Sequence, residues 1–277
     1  MLRDSSVQNS VRLAKPFESE PHASSAVQKN NLIRKTFSIL RAFQHSSEWL
    51  TSQELSKRVD MPKASCHRLV QTLEEVGAIV RGPNGRYRLG MLLLSLSKNV
   101  ASKELLCEIG SPILRDVAVR LNLTVHLGML ESGMVFYITK VSTPTSFPSH
   151  TRSGSYLEAY CSGLGKVLLA ALPEDELEGF ILEGDLVALT PNTITDRNAL
   201  RIELEGVRRR GFAFDDCESR ADTCCVAVPL HDADGNVIAA ISATGDAQSV
   251  TEYRIPAIYE ALSEAAAILS RRLFPSG

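Results

Sequence analysis

Between Lys63 and Thr72, six polar side chains lie off an apolar helical stripe: Lys63, Ser65, His67, Arg68, Gln71 and Thr72. They are donors for phosphate oxygens and base edges. They crowd the N-terminal half of the helix, the half that a recognition helix inserts into a major groove. A few residues on, Arg81, Arg86 and Arg88 flank the turn Gly82-Pro83-Asn84-Gly85. Together these side chains point to recognition of double-stranded DNA. The plainer alternative is a helical hairpin with a solvated basic face. It leaves the agreement of helix pair, cap, turn and basic face as coincidence.

Other reactive residue types do not assemble by spacing. Six cysteines stand at 66, 107, 161, 217, 224 and 225, with no C-x-x-C pair, and six histidines are scattered. A zinc finger or a disulfide framework is therefore not expected. Gly163-Leu164-Gly165-Lys166 is not a phosphate loop. Tyr160 takes the place of the first glycine, and Val167 follows the lysine where Ser or Thr must hold magnesium. A cysteine-dependent hydrolase would need Cys161 or Cys225 beside His126, His150 or His231, and no spacing selects a pair. Cys225 lies in an apolar strand and reads as a buried thiol. No catalytic residue, metal or cofactor is expected.

The elements that position the polar face can be read locally. Thr51 followed by Glu54 forms a capping box, which starts a short helix burying Leu55 and Val59. Thr51 is counted with the DNA-facing set. Asp60-Met61-Pro62 ends that helix. The next runs from Lys63 to Val76, with Cys66, Leu69, Val70, Leu73 and Val76 as its apolar stripe and Gly77 as its end. Ala78–Val80 and Arg86–Leu89 form a hairpin around the glycine-rich turn. Two short helices, a tight turn and a hairpin make a winged helix-turn-helix over residues 31–90. A supporting helix from Asn31 to Phe43 is expected to bury Ile33, Phe37, Leu40 and Phe43. Trp49 and Leu50 are expected beneath the next helix.

A chain of 277 residues accommodates two domains with separate cores. The net charge of −2 conceals an asymmetry. Residues 31–90 carry ten Lys and Arg against five Asp and Glu, and residues 91–277 carry sixteen against twenty-four. A basic module joined to an acidic one suits a nucleic-acid reader attached to a second function. No apolar run reaches the ~20 residues a bilayer requires, and no signal pattern opens the chain. A cytoplasmic location without membrane contact is expected. Residues 1–30 lack periodicity and read as a disordered arm.

Met91–Val100 is apolar nearly all round and reads as a linker helix over 91–102, packed in one chain or against its twin in a dimer. A helix follows over 103–120, interrupted at Gly110-Ser111-Pro112. Strands are expected at 124–130, 134–141, 212–215, 224–230 and 237–244. Helices are expected at 163–172, 174–182, 196–210 and 251–273. Antiparallel strands with gathered helices define an α+β domain over 103–277.

Several stretches, in order, carry a resemblance: Lys63–Leu73 (K-A-S-C-H-R-L-V-Q-T-L), Tyr87–Gly90, Gly163–Ala170 (G-L-G-K-V-L-L-A), Leu189–Asp196 (L-T-P-N-T-I-T-D), and Cys225–Leu230 with Gly235–Ser242. Over roughly residues 31–273 the chain resembles the IclR family of bacterial transcription regulators. The resemblance implies a winged helix-turn-helix, a linker helix and a GAF-like effector-binding domain with an antiparallel sheet. It implies homodimers or homotetramers on palindromic operators, and small carboxylates as effectors. Carried over by motif, the ligand-binding positions are Leu157, Gly163 and Leu164 on the covering segment, Asp215 and Cys225 beside the central strands, and Ser242 and Thr244 on the last strand. The amides of Ser162, Gly163 and Leu164 at a helix start would suit an anion. Asp222 replaces a usual glycine, Cys217 a frequent acidic residue and Tyr160 a common histidine. The expected function is a repressor of a catabolic operon, controlled by a short hydroxy, keto or semialdehyde acid. The alternatives are a hydrolase fused to a DNA-binding module, or a DNA-bound structural protein without a ligand.

Overall fold

The computed structural model describes residues 23–45 and 47–275. The chain divides into two compact units, Met1–Val100 and Ala101–Gly277. In the first, the elements run α1 (Ala23–Arg41), β1 (Leu50–Thr51), α2 (Ser52–Arg58), α3 (Lys63–Glu75), β2 (Ile79–Arg81), β3 (Arg86–Leu89) and α4 (Met91–Ser97). The three strands form an antiparallel sheet in the order β1-β3-β2.

The expected capping box is present. The Glu54 amide donates to Thr51 Oγ1 at 3.2 Å, and the Thr51 amide donates to Glu54 Oε2 at 2.7 Å. Between α2 and α3 the chain turns through Asp60 at a φ of 46°, and the Ser56 hydroxyl donates to the Met61 carbonyl at 2.6 Å. Cys66, Leu69, Val70 and Leu73 are buried with Leu55, Ile79 and Tyr87 in one core. Val76, expected on that stripe, is exposed, because the helix already ends at Glu75.

Several expectations need correction. No Gly or Pro interrupts residues 22–43, so α1 starts at Ala23 and absorbs 23–30 of the expected arm. Residues 1–22 lie outside the described residues. Among the described side chains of α1, Ile39 is fully buried while Ile33 and Phe37 are exposed, because the winged core meets the helix on the side of Ile39 and Leu40. Leu50 pairs with Tyr87 as an unanticipated third strand. Trp49 packs on the wing at Gly82, where a Cβ would sit 2.1 Å from the indole ring. In α4, Leu92 and Leu93 pack on the winged core, whereas Met91, Leu94 and Leu96 are exposed.

The second unit begins with α5 (Ser102–Leu121), then β4 (Thr124–Glu131), β5 (Met134–Val141), β6 (Tyr156–Glu158), α6 (Gly163–Ala170), α7 (Glu174–Glu183), α8 (Arg197–Arg210), β7 (Ala213–Arg220), β8 (Thr223–His231), β9 (Val237–Gly245) and α9 (Ile255–Leu273). The helix α5 is not interrupted at Pro112 as expected. Gly110 lets it lie close on Leu127 and Leu269, so packing against the sheet and α9 holds it together. The six strands form one antiparallel sheet in the order β6-β5-β4-β9-β8-β7. The short strand β6 was not anticipated.

Alternation along the central strands sorts side chains between two cores. Val125, Leu127, Val226, Val228, Ile241 and Ala243 face α5 and α9. Ala227 and Ala240 face α6, α7 and α8. On that second face, beyond the reach of α6, alternate positions become polar: Thr124 and His126 on β4, Ser242 and Thr244 on β9, all buried. This α+β domain with its antiparallel sheet is the expected fold class.

Candidate functional site

Two sites emerge. On α3, Lys63, His67, Arg68, Gln71 and Thr72 are exposed and Ser65 is half-buried. None of them makes an ion pair among the described residues. Pro62 precedes the helix and offers no side-chain cap, so the first-turn amides remain open to an acceptor such as phosphate. Arg81, Arg86 and Arg88 are exposed on the wing. Arg88 stacks 4.9 Å from the Trp49 ring centroid, and Arg86 donates to the Trp49 carbonyl at 3.0 Å. Thr51 is the N-cap of α2. Its hydroxyl donates to Glu54 Oε2 at 2.8 Å and accepts from the Glu54 amide, so it is engaged in positioning α2.

The second site is a cavity of about 380 Å³ on the polar end of the large sheet. Its floor comes from paired strands: His126 lies opposite Ser242, Cys225 opposite Thr244, and Asp215 opposite Cys225. The expected Leu157, Ser162, Asp215, Cys225, Ser242 and Thr244 all line it. Gly163 and Leu164 do not; they are buried behind it. A Cβ at Gly163 would lie 2.6 Å from Cys225 Sγ, so glycine is needed for the helix start to approach β8.

Of the three helix-start amides expected to suit an anion, those of Ser162 and Gly163 already have partners. The Ser162 amide donates to the Ala159 carbonyl at 3.4 Å, the Gly163 amide to the Cys225 sulfur, and the Gly165 amide to Ser162 Oγ at 3.1 Å. Negative charge has other partners. Arg152 and Arg220 both line the cavity, and Arg220 is paired with Asp222 at 3.1 Å. Arg152 makes no ion pair among the described residues.

Sequence reasoning missed His126, Tyr137 and the segment 149–155 as parts of this site. His126 Nε2 lies 2.6 Å from Thr151 Oγ1, and its Nδ1 lies 3.4 Å from Thr244 Oγ1. Burial, then Lys140, push its pKa down to about 3, so the ring is neutral. Lys140 also donates to the carbonyls of Ser149 at 2.6 Å and Thr151 at 3.0 Å, fastening the 149–155 segment over the cavity. The available signal was two polar residues, Thr124 and His126, at alternate positions in an apolar strand. The 149–155 segment had no local signal.

Asp215 is the most perturbed acid in the cavity. Burial raises its pKa to about 7, against an amide hydrogen bond from Glu218 at 2.7 Å that works the other way. Burial also pushes the Cys161 thiol up to about 12 and the Cys225 thiol well above its usual range. Neither is a thiolate nucleophile near neutral pH. The arrangement can bind a small polar molecule through hydroxyls, a neutral imidazole and a carboxyl poised between its two forms.

Comparison with known proteins matches both units of the chain. Residues 98–271 match the model of the bacterial transcriptional regulator IclR C-terminal domain, and residues 32–83 match the IclR helix-turn-helix domain. The HTH-type transcriptional regulator XynR of Escherichia coli (strain K12) is 31% identical over 242 residues, spanning 87% of this chain and 96% of that protein. KipR of Bacillus subtilis (strain 168) is 29% identical over 245 residues, spanning 88% and 98%. The crystal structure of Thermotoga maritima IclR superposes with a TM-score of 0.59 at 31% identity, covering 88% of this chain and 99% of that one. An IclR homolog from Microbacterium hydrocarbonoxydans, solved in complex with 4-hydroxybenzoate, gives a TM-score of 0.58 at 27% identity, covering 87% and 98%. The chain belongs to the IclR family: it is a transcription regulator with a DNA-binding helix-turn-helix and an effector-binding C-terminal domain, not an enzyme.

The raised Asp215 pKa has a consequence for stability. From its ordinary 3.8 up to about 7, the native state keeps a proton that the unfolded chain has released. Asp215 therefore contributes stability that is fully present below its ordinary pKa and is lost as pH rises through the folded value. Asp215→Asn keeps an acceptor for the Glu218 amide. It is expected to raise Tm over the wild type at about pH 8, with the difference shrinking toward about pH 5. Thermal melts at both pH values check this, and a difference independent of pH contradicts it.

Proposed function

We propose that this regulator represses a catabolic operon and is controlled by a small carboxylate with a second oxygen function: a short hydroxy, keto or semialdehyde acid. The observation that carries this reading is the pairing of a buried, near-neutral Asp215 with the hydroxyls of Ser242 and Thr244 across one enclosed floor. A fully ionised carboxylate there would repel an anionic ligand; a protonated one donates to a ligand hydroxyl or carbonyl. Arg152 at the cavity wall supplies the cation for the ligand carboxylate. About 380 Å³ suits a compact acid rather than a nucleotide. The 4-hydroxybenzoate held by the Microbacterium homolog is a molecule of this class, a carboxylate with a hydroxyl.

The DNA reading assigns Lys63, Ser65, His67, Arg68, Gln71 and Thr72 to the major groove, with Arg81 and Arg86 on the flanking backbone. The protein works in the cytoplasm on double-stranded operator DNA; no helix among the described residues is long and apolar enough to cross a membrane. Exposed Met91, Leu94 and Leu96 on α4 and Leu32, Ile33 and Phe37 on α1 support self-association as a homodimer or homotetramer. Effector binding then shifts the balance between arrangements of the winged domains.

Arg68→Ala removes an exposed guanidinium from α3 and is expected to weaken operator binding by about 1–3 kcal/mol, with fold and assembly unchanged. Gel-shift titration at physiological salt measures it, and an undiminished affinity contradicts the assignment. Ser242→Ala is expected to abolish the response to effector while DNA binding persists. Calorimetry with the acid selected by a thermal-shift screen, beside a gel shift, reads both; an unchanged response places the effector elsewhere. Light scattering at micromolar concentration is expected to return at least a dimer, and a monomer would sink the association through α4.

A further inference from the structure

The alternation that builds the effector cavity breaks at one place. Ala213 and Asp215 on β7 face the cavity side of the sheet. Continued alternation would put Cys217 there too. Between Asp215 and Arg220 the register with β8 slips, and Cys217 adopts a φ of 57°, a region that residues with a side chain rarely occupy. The bulge turns its thiol into the opposite core, among the residues packed under α5 and α9. There it meets Cys224, which alternation places on that same face of β8. The two sulfurs lie 2.7 Å apart, and the Asp216 carboxylate completes a set of three donors all within 4.8 Å of one another.

The bulge is held from outside. The Asn192 side-chain Nδ2 donates to the Asp216 carbonyl at 2.9 Å, the Thr190 hydroxyl to the Cys217 carbonyl at 2.8 Å, and the Thr193 hydroxyl to the Glu218 carbonyl at 2.6 Å. Three consecutive carbonyls are thus clamped by one loop, and the side chains between them are fixed in direction. We propose that Asp216, Cys217 and Cys224 form a binding site for a thiophilic divalent cation, zinc foremost, on the sheet face opposite the effector cavity.

The chemistry of the donors supports a cation. Two thiols and a carboxylate are the soft-plus-hard set that zinc takes, with water as a fourth ligand. As two thiolates and a carboxylate the set is negatively charged, which a divalent ion neutralises on coordination. Zinc–ligand bonds of roughly 2.0–2.3 Å set ligand separations of roughly 3.4–3.8 Å, so metal entry parts the two sulfurs by about 1 Å. The entering ion displaces the thiol protons to solvent. Asp216 is exposed and provides the way in, while the thiols lie beneath it. The spacing rules that argued against a metal look for cysteines with two residues between them. These ligands are brought together by a hairpin and a bulge.

The test uses the full chain in a reducing buffer. Zinc chloride is added, excess metal is removed by gel filtration, and bound zinc is measured by mass spectrometry. Cobalt(II) is titrated in parallel, and the thiolate-to-cobalt charge-transfer band is followed. The wild type is expected to hold about one zinc per chain and to show the band. Cys217→Ser and Cys224→Ser are expected to lose both. Asp216→Asn, at an exposed position that does not threaten folding, is expected to keep the band with affinity reduced at least about tenfold. If the serine variants do not fold, the asparagine variant alone decides. The proposal is overturned if the wild type holds no zinc, if Asp216→Asn binds it unchanged, or if Cys217 and Cys224 are recovered as a disulfide from metal-treated protein.

Discussion

Lys166 is fully buried, and a buried ammonium has to be matched. Its Nζ donates to Glu218 Oε1 at 2.5 Å, to the Phe214 carbonyl at 2.5 Å and to Glu203 Oε1 at 3.1 Å. Burial works against its charge, yet Glu218 and Glu203 hold its pKa above the ordinary value. This one cation ties α6 to β7 and to α8. Removing one partner of such a pair typically costs about 3–5 kcal/mol, because the other charge is left buried and alone. Glu218 Oε2 has no partner among the described residues, and burial raises the pKa of Glu218 despite the Lys166 charge.

The consequences reach the effector cavity from two sides. Lys166 lies one turn beyond the helix entry Cys161-Ser162-Gly163, so anchoring it sets how closely that entry presses on β8. Glu218 sits in the bulge of β7, and its amide is the hydrogen-bond donor that fixes Asp215. The Leu189–Asp196 loop clamps the same bulge through Thr190 and Thr193. The Gly163–Lys166 stretch and a separate threonine-rich stretch therefore serve one purpose. They hold a carboxyl in place inside an apolar fold.

The winged unit follows a simpler logic. Its core is small and centred on Ile39, Leu55, Val70 and Ile79. The basic side chains stand outside that core and need only a stiff helix and a braced wing. Trp49 supplies the bracing, with Gly82 against its ring, Arg88 stacked on it and Arg86 on its carbonyl. Short-range order suffices there, which is why α2, α3 and the hairpin could be read nearly residue by residue.

Local rules settled a good deal from the sequence alone. The capping box at Thr51, the break at Pro62, the glycine ends and the period-two strands are decided within a few residues, and the separated family motifs placed Asp215, Cys225, Ser242 and Thr244 near one another. Tertiary structure decided what depends on partners distant in the chain. It buried Ile39 and exposed Phe37, because the winged core meets α1 on the side that carries Ile39. It kept α5 whole through Pro112, because packing outweighed the local cost. It gave the Ser162 and Gly163 amides partners in the Ala159 carbonyl and the Cys225 sulfur, and it set Arg152 and Arg220 at the cavity. It added His126, Tyr137 and the 149–155 segment, whose roles depend on strand register and on the reach of Lys140. It also turned Cys217 through the sheet to Cys224, since a bulge that reverses the facing of a side chain is set by its neighbours and leaves no mark in residue spacing.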